Sequence, residues 1–445
     1  MPEPSPLPPR RILHVDADAF FVQVARRADP DGAGRAPLLI VGGRPGSRGV
    51  VCSASYECRA YGVRSAMPIA RALRLCPAAL CVPVPRVACS TASRAIARVL
   101  ADFTPVVQSS SIDEWYLDLG GTEALYRGES LEQTATRIRA AVIAATGFTV
   151  SIGGGTTRLV AKLAVERAKP KPGTGANGVN VVPAGEEVAF LGTLAVADLP
   201  MVGPRFQQQL ALRGLERVSA VQQLSRASLV QMLGPRAGQW LADRVQGIDP
   251  SAVDARGEAK QISREDTFEQ DLHEDEAIAR ELLRLSVKVA ADLRRSARVA
   301  RTITIKLRDS DFVTRTARRT LDDPIRTDRA MARVATELLA RLRRTRQVGV
   351  RLLGVAASHF EESVDLGPRQ LELFGAVPPV DGPPVSQEEP KDHALADAVD
   401  RIRARFGDRA IVPAALVEAE RPSDGLPEAG GASAPRPQRP HRRPR

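Results

Sequence analysis

The sequence predicts an α+β protein of several domains, and three observations carry that expectation. Its 445 residues, at about 150 per domain, make roughly three units. Strand-like and helix-like segments alternate at first, short glycine-separated helices follow, and strands and long helices then return. Apolar residues at 43% and charged residues at 26% are ordinary globular values, which excludes a wholly disordered chain and a disulfide-stapled peptide.

Each element has its own signal. Arg11 to Val15 reads as a strand running into Asp16 and Asp18. Leu38 to Val41 is a second strand, Gly42 to Gly46 a turn-rich loop, and Gly49 to Ser53 a third strand. Helical spacing returns at Ile69, Leu73 and Leu75, and again from Ala92 to Leu100. Ser111 to Leu119 alternates apolar and polar side chains, a half-buried strand on which Asp113 and Glu114 face opposite ways unless the strand bends or begins there. A helix over Leu131 to Ala145, a strand over Phe148 to Ile152, a Gly153-Gly154-Gly155 turn and a helix carrying Leu159, Lys162, Leu163 and Val165 follow. The Lys/Pro/Gly-rich stretch Lys169 to Asn180 is a boundary. Val188 to Trp240 then reads as a small all-α unit punctuated by Gly203, Gly214 and Gly234. A polar linker, Asp249 to Glu265, leads to a helix over Asp275 to Ala297 and to strands at Thr302 to Leu307 and Phe312 to Thr316. Gly375 to Glu389 is a Pro/Gly connector, His393 to Phe406 an amphipathic helix through Leu395, Val399, Ile402 and Phe406, and Arg421 to Arg445 a Pro/Arg/Gly tail.

Charge and cysteine usage narrow the function. The 63 Lys plus Arg against 52 Asp plus Glu give a net +11, which points to an anionic partner and favours nucleic acid. Arg298 to Arg351 alone carries 15 basic against 6 acidic residues, +9 of that excess. On its alternating strands one face can form core while the other presents cations to phosphates; a solvated arginine-rich surface is the alternative. The five cysteines, Cys52, Cys58, Cys76, Cys81 and Cys89, match no CxxC zinc spacing and cannot all pair, so they read as reduced thiols. The proline-rich start has no signal core and no apolar run nears the roughly 18 residues of a membrane span. A cytosolic protein, neither secreted nor inserted in a membrane, is expected.

The chemistry-bearing positions are Asp16 and the adjacent Asp113 and Glu114. Two Mg2+ ions about 3.5–4 Å apart need bridging carboxylates, and such a pair stabilises both the attacking and the leaving oxygen of an in-line phosphoryl displacement. Two strand ends side by side would supply them. Either acidic pair alone is more often an exposed strand terminus.

The residues around them narrow the choice. His14-Val15-Asp16-Ala17-Asp18-Ala19-Phe20-Phe21, Arg48 to Val51, Ser55 to Pro68, Ser111-Ile112-Asp113-Glu114, Ala161-Lys162-Leu163-Ala164 and Lys169-Pro170 occur in order. Together they closely resemble the Y-family of translesion DNA polymerases, specifically the bacterial DNA polymerase IV (DinB) group. Ser263 to Phe268 and Val350 to Val355 resemble the start and end of that family's little-finger domain, so the likeness covers about residues 10 to 360.

The resemblance implies a right-hand fold: residues 11–182 as palm with fingers inserted at about 22–83, 183–247 as helical thumb, 248–262 as linker and 263–362 as a DNA-binding α/β little finger. A disordered start, 1–10, and a largely disordered tail, 363–445, flank them. It implies that Asp16 and Asp113 bridge two Mg2+ ions, that the Ala17 carbonyl completes the triphosphate-side site, and that Glu114 holds the ion activating the primer 3′-hydroxyl. Tyr56, Arg59 and Lys162, with the aromatic pair Phe20 and Phe21, match nucleotide-binding positions. Phe21 matches the steric gate, a large side chain leaving no room for a ribose 2′-hydroxyl; one of the two phenylalanines is expected in the core. Primer–template DNA and deoxynucleoside triphosphates are the implied partners. Small residues Ala54, Ser55 and Ala66 near the nucleotide imply a roomy, low-fidelity site.

Gln370-Leu371-Glu372-Leu373-Phe374 resembles the sliding-clamp-binding peptide, in which Gln370 hydrogen-bonds and Leu371, Leu373 and Phe374 enter an apolar cleft of the clamp's beta subunit. Three departures stand out. Val22-Gln23-Val24-Ala25 lacks the family's usual Glu after the paired aromatics, so a secondary contact is expected to be lost. Trp115 stands where a smaller residue is common, and Met201 replaces the first Gly of a helix-hairpin-helix-like turn at Leu199 to Pro204. Two rivals share parts of the pattern: a non-catalytic Y-family accessory protein and a basic scaffold without activity. Loss of an acidic ligand would mark the first, and the scaffold leaves the carboxylates unexplained.

Overall fold

The computed structural model describes residues 9–170, 175–255, 257, 259–362 and 388–419. They belong to two compact units, Met1–Glu258 and Ala259–Arg445. The sequence expectations for residues 1–8 and 420–445, and for Gln370 to Phe374, lie outside the described residues.

The first unit runs β1 (Ile12–Ala17), α1 (Phe20–Ala28), β2 (Leu39–Gly42), β3 (Val51–Ala54), α2 (Tyr56–Ala60), α3 (Ile69–Leu75), β4 (Leu80–Pro83), α4 (Arg86–Ala101), β5 (Val107–Ser109), β6 (Glu114–Asp118), α5 (Leu131–Thr146), β7 (Val150–Gly155), α6 (Arg158–Ala168) and β8 (Val179–Val181). Five strands form one sheet in the order β5-β6-β1-β7-β8, with β1 antiparallel to both neighbours. Alternation divides β1 cleanly. Leu13, Val15 and Ala17 join Trp115, Ile138, Val142 and Ile152 in the main core, whereas Ile12 packs with Tyr116 and Ala161 on the α6 side. A separate small sheet, β3-β2-β4, lies between α1 and α4 in the chain and has its own core of Ile40, Val51, Cys58, Val63, Ile69 and Cys76.

One expectation is overturned here. Gly153, Gly154 and Gly155 are no turn but the last residues of β7. A Cβ at Gly153 would stand 2.2 Å from the Ala161 carbonyl oxygen and 2.3 Å from the Val165 nitrogen, so glycine is what lets α6 lie directly on the sheet. The strand expected over Ser111 to Leu119 is shorter, and begins at Glu114.

Short helices α7 (Glu187–Gly192), α8 (Pro204–Ala211), α9 (Val218–Gln222), α10 (Arg226–Leu233) and α11 (Pro235–Val245) complete the unit around Leu191, Leu199, Leu210, Val218 and Leu241. Met201 takes a left-handed backbone, φ 72°, with its side chain 89% exposed, a conformation that suits the glycine it replaces.

The second unit runs β9 (Gln261–Leu272), α12 (Asp275–Arg295), β10 (Arg298–Asp309), β11 (Thr314–Ile325), α13 (Asp328–Thr345), β12 (Val350–Glu362) and α14 (Pro390–Phe406). Its four strands are antiparallel in the order β11-β10-β12-β9. Ile303, Ile305 and Leu307 of β10 face Leu285, Val289 and Leu293 of α12 and Val334 and Leu338 of α13 in a single core. The alternate residues Thr304, Lys306 and Arg308 are half-exposed. Part of the basic surplus is internally matched: Lys306 pairs with Glu265 at 2.8 Å, Arg319 with Glu337 at 2.5 Å, and Arg301 with Glu361. Helix α14 folds back on its own unit. Arg294, its side chain 3% exposed, holds Asp400 at 2.7 Å and Asp328 at 2.8 Å, while Glu388 accepts from the Arg326 and Thr327 amides at 2.7 and 2.6 Å.

Candidate active site

The site grows from the register of two strands. Asp16 on β1 stands directly opposite Glu114, the first residue of β6, and His14 opposite Tyr116. Because β6 begins at Glu114, Asp113 belongs to the preceding loop, which resolves how adjacent acids can serve one site. The Ala17 amide donates to the Asp113 carbonyl at 2.9 Å, tying that loop to the end of β1. Ser111 Oγ in turn donates to Asp113 Oδ1 at 2.5 Å. Asp18, in contrast, points inward: it is buried and accepts from Ser151 Oγ at 2.7 Å.

Helix α6 covers this face and contributes two lysines. Lys162 Nζ lies 2.9 Å from Glu114 Oε2, and Lys169 Nζ, at the C-cap of α6, lies 3.0 Å from Asp16 Oδ2 and 2.6 Å from Glu166. His14 is fully buried beneath Glu114, its Nε2 3.6 Å from Oε2, with Lys162 the closer partner. The electrostatic result is uneven. The His14 ring and the Lys162 ammonium hold Glu114 down to about 2 against its partial burial. Burial instead pushes Asp16 up to about 6, although Lys169 pulls the other way. Lys169 itself stays charged, because Asp16 and Glu166 outweigh the burial that would lower it.

A cleft of about 370 Å3 opens beside the carboxylates, lined by Asp16, Asp113, Phe21, Tyr56, Arg59 and Lys169 among others. Ala19 makes the turn into α1 with a left-handed backbone, φ 43°. Both phenylalanines after that turn line the cleft, but Phe20 is 1% exposed and packs against Phe148, whereas Phe21 is half-buried. Ser55 caps α2, its hydroxyl accepting from the Cys58 amide, so Tyr56 and Arg59 sit on one short, fixed helix. Arg59 Nε donates to the Ala54 carbonyl at 3.0 Å and its guanidinium lies 4.9 Å from the Tyr56 ring centre.

Most sequence-picked residues converge, with one reassignment. Lys162 does not line the cleft; it is engaged with Glu114, and the cleft's lysine is Lys169. Arg64, Ser65, Cys52 and Ser53 also line it, and the sequence reading gave them no role. The Lys-Pro pair ending α6 was the available signal for Lys169. In the segment Val22 to Ala25, Gln23 donates to the Asp18 and Thr149 carbonyls and accepts from the Thr149 amide at 2.9 Å. Trp115 is wholly buried in the core.

Among the described residues no three carboxylate, imidazole or thiolate side chains are gathered closely enough to cage an ion by themselves. The donor set nevertheless suits Mg2+, which binds through one or two carboxylates and completes its shell with water and substrate phosphates. Among the described residues no helix is long and apolar enough to cross a membrane.

Comparison with known proteins agrees. The impB/mucB/samB family matches residues 15–166, and the impB/mucB/samB family C-terminal domain matches residues 259–373. The DNA polymerase IV of Dehalococcoides mccartyi (strain CBDB1) is 36% identical over 399 residues, covering 89% of this chain and 95% of that protein. The DNA polymerase IV of Xanthomonas axonopodis pv. citri (strain 306) is 36% identical over 372 residues, 84% of this chain and all of that one. A Y-family DNA polymerase chimera shares the fold with a TM-score of 0.69 at 23% identity, over 79% of this chain and 99% of its own. The crystal structure of DinB from Sulfolobus solfataricus follows at 0.54 and 24%, over 78% and 98%. With two strand ends bearing the acids, a basic-lined cleft beside them and relatives matched over most of their length, the chain belongs to the Y-family of DNA-directed DNA polymerases, in the DNA polymerase IV group.

Proposed function

We propose that the chain performs template-directed, low-fidelity synthesis past damaged template bases, adding deoxynucleotides to a primer 3′-hydroxyl with two Mg2+ ions. The observation that carries this reading is the register of Asp16 opposite Glu114 at the ends of β1 and β6, with Asp16 and Asp113 together lining a cleft that also holds Tyr56, Arg59 and Lys169. Asp16 and Asp113 would hold both ions with the Ala17 carbonyl on the triphosphate side, and Glu114 would hold the ion nearer the primer. When bound, the ions polarise the α-phosphate and lower the pKa of the attacking hydroxyl. The protein's own groups do the positioning. Arg59 and Lys169 neutralise the β and γ phosphates, Tyr56 adds a hydrogen bond, and Phe21 lies against the sugar. Lys162 fixes the Glu114 carboxylate and keeps it ionised.

The small β3-β2-β4 sheet would serve as fingers and the second unit as the DNA-gripping little finger. Gln370 to Phe374 would engage the sliding clamp, with the polymerase itself a cytoplasmic monomer. Primer extension with Mg2+, on intact template and past an abasic site, tests the reading. The wild-type chain is expected to extend both, and Asp113→Ala and Glu114→Ala neither; a chain that lengthens no primer is an accessory protein instead. Deleting Gln370 to Phe374 should remove stimulation by the clamp and spare basal synthesis.

A further inference from the structure

The proposed chemistry uses none of the five cysteines, yet two of them are placed against each other. Cys58, in the middle of α2, and Cys76, at the C-cap of α3, are 0% and 1% exposed, and their Sγ atoms are 4.0 Å apart. Val51, Ala54, Val63, Ile69 and Ala72 surround them, with Met67 and Cys81 packed against the same core from its edge. The other thiols are engaged or placed differently: Cys81 donates to the Gly43 carbonyl at 3.2 Å, Cys52 is exposed, and Cys89 is buried on α4.

We propose that Cys58 and Cys76 form a reversible disulfide under peroxide, joining α2 to the end of α3 and displacing the helix that carries Tyr56 and Arg59. Bonded sulfurs stand about 2.05 Å apart, so closing the bond draws the two together by about 2 Å. Side-chain rotation can take part of that movement, and α2, only five residues long, takes the rest. Tyr56 and Arg59 flank Cys58 in sequence and line the cleft, so they shift with it. A misplacement of about 1 Å at positioning residues can lower a rate by about a hundredfold.

The step balances. One thiolate attacks a peroxide oxygen, the O–O bond breaks, and a sulfenic acid and the first water result. The second sulfur displaces hydroxide from the sulfenic sulfur, and with the released protons the second water leaves. Two thiols lose two electrons and two protons while one hydrogen peroxide becomes two waters. Burial raises the Cys58 thiol, as does the adjacent Cys76, so attack waits on transient opening of the small core and is slow.

The pairing stands on geometry alone; its effect on nucleotide use rests on the polymerase reading. The test treats the reduced full-length chain with hydrogen peroxide, blocks remaining thiols with an alkylating agent and maps peptides without reduction. The expected result is one cross-linked peptide pair containing Cys58 and Cys76. With it should come an approximately tenfold loss in kcat/KM for deoxynucleotide in primer extension, restored by dithiothreitol. Cys58→Ala and Cys76→Ala should each abolish both the cross-link and the reversible loss. Complete oxidation of Cys52 with Cys58 and Cys76 still alkylatable after unfolding overturns the proposal, as does an equal reversible loss in either variant or a cross-linked protein with unchanged kinetics. Should the untreated reduced chain extend no primer, the polymerase reading fails while the peptide map still decides the pairing.

Discussion

Asp16 and Glu114 face each other across the β1–β6 register, yet one carboxyl is pushed up to about 6 and the other held near 2. The signs oppose. The favourable contribution of Glu114 is full above its ordinary value of 4.5 and is lost as pH falls from there toward 2. That of Asp16, which favours its protonated form, is present below 3.8 and is lost as pH rises through about 6. Near neutrality Asp16 is therefore ionised at a cost to the fold, which a bound divalent cation would offset. We expect Mg2+ or Mn2+ to raise the thermal midpoint at pH 7.5 and to do so progressively less as pH drops through about 6. Asp16→Asn should remove the effect. Metal stabilisation that is flat from pH 5 to 8 would contradict this account.

The two α6 lysines should separate kinetically. Lys169→Ala removes a charge from the cleft, so KM for deoxynucleotide should rise by about 10- to 100-fold, the worth of one charge-assisted hydrogen bond. Lys162→Ala frees Glu114 and should lower kcat with little change in KM. Steady-state titration of nucleotide over saturating primer–template distinguishes them; equal KM defects in both would erase the distinction.

Phe21 and Phe20 should differ in the same spirit. Phe21→Ala opens space at the cleft and should raise ribonucleotide incorporation relative to deoxynucleotide by about 10- to 200-fold, the range available to one steric contact. Phe20→Ala empties the core and should instead cost about 3–5 kcal/mol. Competition assays with paired ribo- and deoxynucleotides read the first, denaturant unfolding the second.

Gly153→Ala should destabilise the first unit by about 3 kcal/mol, because its Cβ meets helix backbone rather than a movable side chain. Trp115 and Trp240, the chain's two tryptophans, both lie in that unit, so their fluorescence in urea reports it. An unchanged midpoint would mean that α6 can lift without penalty.

Arg294→Met strands Asp328 and Asp400 without their shared cation and should cost the second unit about 3–5 kcal/mol. Limited proteolysis between α13 and α14 should accelerate in the variant. If the cleavage pattern is unaltered, α14 is held by its apolar contacts alone.

Much of this was legible before any coordinates. The apolar run of Ile12, Leu13 and Val15 that made β1 a strand also put Asp16 near its end, and the family resemblance joined Asp113 and Glu114 to it. Which residue of the adjacent pair begins β6 was not legible, since pattern fixes period but not the first paired residue. Lys162 and the C-cap Lys169 lie seven apart, and only the packing of α6 on the glycines of β7 decides which reaches Glu114 and which the cleft. The glycine run misled for the same reason: three glycines announce freedom, and only the helix packed on them shows that they serve close approach. Burial of α14 on Arg294 depends on partners about a hundred residues away in sequence and left no local trace.

The separate core beneath α2 and α3 has a thermodynamic corollary. The amides of β1 lie in the centre of a five-stranded sheet and should exchange with deuterium only when the whole unit opens, whereas those of β3 and α2 rest on a cluster of eight buried side chains and can exchange through partial openings. The chain can thus loosen the wall of its cleft while the floor bearing the acids stays intact, and under the proposed function a bulky or misshapen base pair would meet the yielding side of the molecule first.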